Sequence, residues 1–182
     1  MEYLGQSLEQ SLEITGYQVE IKHRGAFRVT GYTIIVPPRS DAMIPQFWRD
    51  VVVDGRLDLL KKASSVPPWV LGLGSWDPEC EKHGQRYTIC IEETEHTDLS
   101  QLAQQHHLFT KEIGASDWMC FEMTQRTFDE RFWEDNPYKM MKKLGYRFHA
   151  GDYSVGLHFD AYPPGYDPES HPAIEFWITV MR

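Results

Sequence analysis

Cysteine is scarce and odd in number: Cys80, Cys90 and Cys120 are widely spaced along 182 residues. A small secreted scaffold would need paired cysteines at closer spacing, so these read as reduced thiols of a cytoplasmic protein. Long apolar runs are also missing. None approaches the roughly eighteen residues of a membrane-spanning helix, and no basic segment leads into an apolar stretch as in a secretory leader. Positive charge is in deficit, with 18 Lys plus Arg against 27 acids and a net charge of −9. Such a field repels phosphate backbones, which argues against direct nucleic-acid binding, and it enriches small cations within the reach that salt allows.

Several catalytic signatures are absent as well. Gly72-Leu73-Gly74-Ser75-Trp76 places its glycines wrongly for a nucleophile elbow. Gly72-x-Gly74 also lacks the third glycine and the strand-to-helix context of a dinucleotide loop, and no phosphate-binding loop occurs. Cys80-x-x-His83 has no matching second pair for zinc, and His106-His107 are adjacent and point apart. Neither a metal nor a cofactor is expected.

What the chain does have is aromatic bulk: 13% of its residues, including six Trp, which suits cores and ligand pockets alike. Residues 1–16 read as a short amphipathic helix or an arm. From Tyr17 two strand-like stretches run to Pro37-Pro38. Ser40 or Asp41 can cap a helix whose apolar residues recur at Ile44, Phe47, Trp48, Val51 and Val52, the spacing of one helix face. The helical pattern passes Gly55 and stops at Pro67-Pro68, and two strands follow, "WVLGLGSW" and "RYTICIEE". Residues 94–107 form a polar connector. Strand material then resumes, interrupted at Gly114. Thr127 and Glu130 have the spacing of a capping box, Asn136-Pro137 looks like a fresh helix start, and Gly145 suits a helix end. "YSVGLHFDAY" and "AIEFWITVM" close the chain as strands around the loop "PPGYDPESHP".

The pattern is duplicated. Phe47-Trp48-Arg49-Asp50 is echoed by Phe132-Trp133-Glu134-Asp135, and "RYTICIEE" holds in the first half the place of "AIEFWITV" in the second. The expectation is an α+β protein: an N-terminal arm (1–16), then one domain (17–182) of two strand–helix–strand–strand repeats, about 17–93 and 108–182. Antiparallel sheet would surround a pocket on a pseudo-twofold axis, since seams between tandem copies are where pockets form.

Glu175 is the residue that stands out. In a strand, Ile174, Phe176, Ile178 and Val180 share one apolar face, leaving Glu175, Trp177 and Thr179 on the other. That second face is either wet or the lining of a pocket that wants one negative charge among aromatics. His158-x-Asp160 share a strand face too; such a pair could ligate a metal or relay a proton, but the spacing reads first as a surface ion pair.

Taken together, "FRVTGY", "IPQFW", "QRYTICIEE", the second "FW" helix and above all "AIEFWITV" resemble the gyrase-inhibitor-like (GyrI-like) small-molecule-binding family. That fold also forms the effector-binding domain of AraC-type and MerR-type multidrug regulators, and the resemblance covers about residues 17–182. It implies a seam pocket with an acid at its floor on the last strand, matched by Glu175, and it implies cationic amphipathic or aromatic ligands, which a buried carboxylate and aromatic faces would favour. Trp177, Tyr87, Trp118 and Trp48, in falling order, are the expected aromatic walls. The implied role is sequestration or ligand sensing by a stand-alone domain without a DNA-reading segment. Two alternatives go with the resemblance: a hydrolase of reactive electrophiles, with Glu175 orienting water, and a protein-interaction module acting on gyrase or a regulator. No second catalytic group accompanies Glu175, so the residues favour a binder.

Overall fold

A computed structural model of the chain describes residues 8–78, 80, 83–150, 157–167 and 173–182. Its elements, in order, are α1 (Leu8–Thr15), β1 (Gln18–Arg24), β2 (Phe27–Val36), α2 (Met43–Val53), α3 (Arg56–Lys62), β3 (Val70–Ser75) and β4 (Gln85–Glu92). There follow α4 (Ser100–Gln105), β5 (Phe109–Ile113), β6 (Ser116–Thr124) and α5 (Gln125–Thr127), then a π turn (Phe128–Phe132), α6 (Trp133–Asp135), α7 (Pro137–Lys143), β7 (Arg147–Phe148), β8 (His158–Tyr162) and β9 (Ala173–Met181).

The strands form one antiparallel sheet in the order β1-β6-β9-β8-β3-β4-β2-β5, with β7 added beside β9. The order is symmetric about the β8–β3 contact. β2, β4 and β3 on one side mirror β6, β9 and β8 on the other. The leading strands are exchanged: β1 of the first half pairs with β6 of the second, and β5 of the second pairs with β2 of the first. The expected unit of one strand, a helix and two strands therefore gains a leading strand in each half. Short-range patterning shows that strand, but its partner lies in the other half of the chain.

Alternation sorts the side chains onto two faces. On one face, Ile174, Phe176, Ile178 and Val180 pack with Phe128, Phe132, Met140 and Met141 of the second helical set. The corresponding cluster of the first half joins Tyr87, Ile89 and Ile91 to Phe47, Val51 and Leu60. The opposite face buries Leu71, Leu73, Trp118, Phe159 and Trp177 against Phe27 and Val29. Phe27 on β2 and Trp118 on β6 lie five steps apart in the sheet order, about 24 Å if the sheet were flat. Their ring centroids are 6.3 Å apart. The sheet is therefore strongly curled, and its concave side is packed with side chains from both halves.

Two expected helix starts shift. Neither Ser40 nor Asp41 caps α2 by its side chain. Backbone turn bonds Met43 N to Ser40 O and Ile44 N to Asp41 O lead into the helix, and Ala42 before it is already helical. In the second half Thr124, not Thr127, caps the helix: its Oγ1 accepts from Thr127 N, while Glu130 is taken by Arg126. Asn136 does start α7, accepting from Lys139 N with Pro137 in the first turn, and Gly145 at φ 83° follows its end. The polar connector contains the short α4.

Candidate functional site

β9 presents Glu175 and Trp177 on the concave side. They line a cavity of about 620 Å³ with Lys22 and Arg24 of β1, Trp69 and Leu71. Lys22 Nζ donates to Glu175 Oε1 at 3.2 Å, and Trp177 Nε1 donates to the other carboxylate oxygen. Burial works against charge on Lys22, but the Cys120 sulfur and the Glu175 and Glu20 carboxylates work for it, and its pKa is raised. Beside it Arg24 pairs with Glu92 and lies over the Trp177 ring. Trp69 and Trp177 meet at 5.9 Å and a tilt of 45°, which gives the cavity an indole wall. The exchange of β1 is what brings Lys22 here, by placing it across β6 from β9.

A second and larger cavity, about 910 Å³, opens on the helix-covered face. It lies between α2–α3 of the first half and α5 with the π turn of the second, over β3 and β8 at the centre of the sheet. Its floor holds a hydrogen-bond chain. Trp48 Nε1 donates to Tyr87 Oη at 2.9 Å, and Tyr87 Oη donates to Asp160 Oδ2 at 2.7 Å. Asp160 is buried, and its Oδ1 has no hydrogen-bond partner among the described residues. Burial pushes the Asp160 carboxyl up to about 7, against the pull of the Tyr87 hydroxyl, and Asp129 adds to the rise. Burial likewise pulls His158, two residues earlier, down to about 4, so its ring is neutral near neutral pH.

The glycines of β3 make this floor possible. Gly72 lies opposite Asp160 in the β3–β8 register, and Gly74 opposite His158. A Cβ at Gly72 would collide with Tyr87 Oη, and one at Gly74 with the His158 ring. Strand glycines with this period let side chains from both neighbouring strands cross over β3.

The expected site residues therefore divide between two places. Glu175 and Trp177 share the concave cavity, whereas Tyr87 and Trp48 line the cavity on the helix face. Trp118 lines neither. It is fully buried behind Trp177, with ring centroids 6.4 Å apart, and its Nε1 finds no acceptor among the described residues. The expected His158–Asp160 surface ion pair is corrected: both side chains are buried and they form no ion pair with each other. Asp160 is thus a buried, cavity-lining acid that the sequence reading took for a surface group. Its signal was Gly72-x-Gly74 matched by His158-x-Asp160, two period-two patterns that gain meaning only once β3 and β8 are neighbours. Part of the loop before β9, and His171 within it, lies outside the described residues. Among the described residues no group of three His, Cys, Asp or Glu side chains could hold a metal ion. No described helix is long and apolar enough to cross a membrane.

No family profile and no curated protein sequence matches the chain. Solved structures do. SAV2435 bound to tetraphenylphosphonium superposes with a TM-score of 0.66 at 14% identity, covering 90% of this chain and 93% of that one. The EcmrR C-terminal domain gives 0.51 at 15% identity, covering 91% and 98%.

The chain has the GyrI-like fold. An integron cassette protein from the mobile metagenome of Vibrio cholerae shares it, with a TM-score of 0.56, 16% identity, and coverage of 91% of this chain and 97% of that one. In the structure of EcmrR with DNA the matched part is 58% of the EcmrR chain, so the larger protein includes segments beyond this fold.

Proposed function

We propose that the protein binds small hydrophobic compounds, cationic or aromatic, in the concave cavity, with Glu175 as electrostatic anchor and Trp177 as aromatic wall. The observation that carries this reading is the Lys22–Glu175 contact. The carboxylate is only 18% exposed, and its cationic partner is a lysine of an edge strand that is itself 37% exposed. The Lys22 ammonium occupies the place a ligand cation would take, and it can swing into water when displaced. Trp69 and Trp177 would then supply indole faces to an aromatic cation. Support from outside the chain is the hydrophobic cation, tetraphenylphosphonium, bound to the similarly folded SAV2435. Sequestration or sensing follows as the role, without direct contact to nucleic acid.

Tetraphenylphosphonium titrated into the protein with Trp fluorescence as readout tests this. Glu175→Gln should weaken binding by about 1–3 kcal/mol, the scale of a lost charge-assisted contact. Triphenylmethanol, neutral and of similar shape, should lose far less. Lys22→Met should act in the opposite direction and tighten the cation, because it removes the competing ammonium from the carboxylate. Equal losses for cation and alcohol in Glu175→Gln, or weaker cation binding by Lys22→Met, would refute the anchor.

A further inference from the structure

We infer that the ligand of the concave cavity is an aromatic amino-acid zwitterion. Its ammonium takes Glu175, its carboxylate takes the Lys22 ammonium that this exchange releases, and its ring lies against the Trp69–Trp177 wall. The inference rests on the proposed function, which it narrows from cationic or aromatic compounds to one that carries both charges on a single carbon.

The charges that line the cavity are already balanced. Lys22 Nζ lies 3.2 Å from Glu175 Oε1 and 3.4 Å from Oε2, and Arg24 Nη2 lies 2.7 Å from Glu92 Oε2. The histidines at the rim lean on acids outside it, His23 on Asp117 and His96 on Glu95. Among the described lining residues, two cations therefore face two anions, and none of the four is more than 37% exposed. Partial burial weakens the screening by water, so each pair matters more than a surface pair would.

A ligand with one positive charge upsets that balance. Seated on Glu175, it takes the carboxylate from Lys22, whose other acid, Glu20, stands 3.6 Å away and is 62% exposed. A contact with so well solvated an acid returns little. A ligand with two opposite charges leaves no group short. Ammonium on Glu175 and carboxylate on Lys22 replace one ion pair by two, each charge-assisted. Lys22 and Glu175 already touch, so a modest outward turn of the lysine, a long side chain that is 37% exposed, opens the space between them. An α-amino acid, whose two charges sit on one carbon, fits a gap of that kind.

Lys22, not Arg24, receives the carboxylate. Arg24 is held by Glu92, and its guanidinium lies over the rings of Phe27 at 4.1 Å and Trp177 at 5.2 Å. Neither contact is disturbed when Glu175 is engaged. Lys22 and Arg24 are alternate residues of β1, so they leave the same face of the strand about 7 Å apart. Arg24 thus adds positive potential where the carboxylate sits without giving up its own partner. The cavity, at about 620 Å³, has room for the ring beside the two indoles.

L-Phenylalanine, phenethylamine and 3-phenylpropionate share a ring and differ in charge: the second lacks the carboxylate and the third lacks the ammonium. Calorimetric titration of each at neutral pH, beside tetraphenylphosphonium, tests the inference. Phenylalanine should bind at least about ten-fold more tightly than either single-charge analogue. Lys22→Met should then act with opposite signs, weakening phenylalanine by about ten-fold while tightening tetraphenylphosphonium. The tightened cation shows at the same time that the variant is folded. Glu175→Gln should weaken both ligands. Phenylalanine that binds no better than phenethylamine, or that Lys22→Met tightens, overturns the zwitterion and leaves the cation anchor standing. Tetraphenylphosphonium indifferent to Glu175→Gln refutes the anchor itself, and the zwitterion with it.

Discussion

Asp160→Asn is expected to gain stability over the wild-type protein as pH rises, with the gain growing by about 3 kcal/mol between pH 5 and pH 8. The cause is the buried carboxyl, raised from 3.8 to about 7 by desolvation. An acid whose folded pKa lies above its unfolded one supports folding fully below the unfolded value. It loses that support as pH climbs through the folded value. Above pH 7 the folded chain must hold an unpaired carboxylate at the cavity floor, and asparagine removes that charge. His158 runs the other way. Its folded pKa is depressed from 6.5 to about 4, so its contribution is present above pH 6.5 and is lost as pH falls toward 4. Between pH 6.5 and 4 the two groups oppose each other and should leave the wild-type curve nearly flat. Asp160→Asn exposes the His158 limb, with about 3 kcal/mol lost on acidification across that window. Urea denaturation of both proteins from pH 4.5 to pH 8 measures this, and a difference between them that does not vary with pH would exclude a raised Asp160.

Gly72→Ala should cost about 2–3 kcal/mol, although it adds a single methyl group. The new Cβ would collide with Tyr87 Oη and come within 3.0 Å of Asp160 Oδ2. The tyrosine ring cannot absorb this by a small shift, because Ile89, Val70 and Trp48 pack around it in the same buried cluster. It must swing, breaking the Trp48–Tyr87–Asp160 chain and leaving further buried polar atoms unpaired. Tetraphenylphosphonium binding through Glu175, on the other face of the sheet, should change little. Gly25→Ala is the control, since nothing lies within 4 Å of its added Cβ. If both alanines cost the same by urea denaturation, the close approach at Gly72 is not what the glycine provides.

Periodicity in the sequence was enough to place most strands, the aromatic helices and the repeated order, because those depend on which face of a local element is apolar. It also separated Ile174, Phe176, Ile178 and Val180 from Glu175 and Trp177, and the structure keeps that division. The Asn136-Pro137 start and the Gly145 stop were legible for the same reason: a cap is a contact between residues three or four apart. The Thr127 cap was misplaced by one turn, since Thr124 offers the same chemistry three residues earlier.

What no local pattern carries is partnership across the sheet. Lys22 meets Glu175 because β1 crosses to the other half and pairs with β6, 153 positions separating the two charges. Tyr87 and Trp48 belong to one cavity and Glu175 and Trp177 to another because β4 turns Tyr87 to the face that α2, with Trp48, covers, and β9 turns Glu175 and Trp177 to the other face of a curled sheet. Asp160 reads in sequence as one more surface carboxylate beside a histidine. Only the β3–β8 register, with two glycines opening space beneath it, buries that carboxyl, leaves one of its oxygens without a partner among the described residues and moves its pKa to about 7. Local chemistry and alternation were therefore determined by the sequence alone. Which charges are paired, and which acid is left short of a donor, was decided by contacts between strands far apart in the chain, because desolvation and Coulomb energy depend on distance in space.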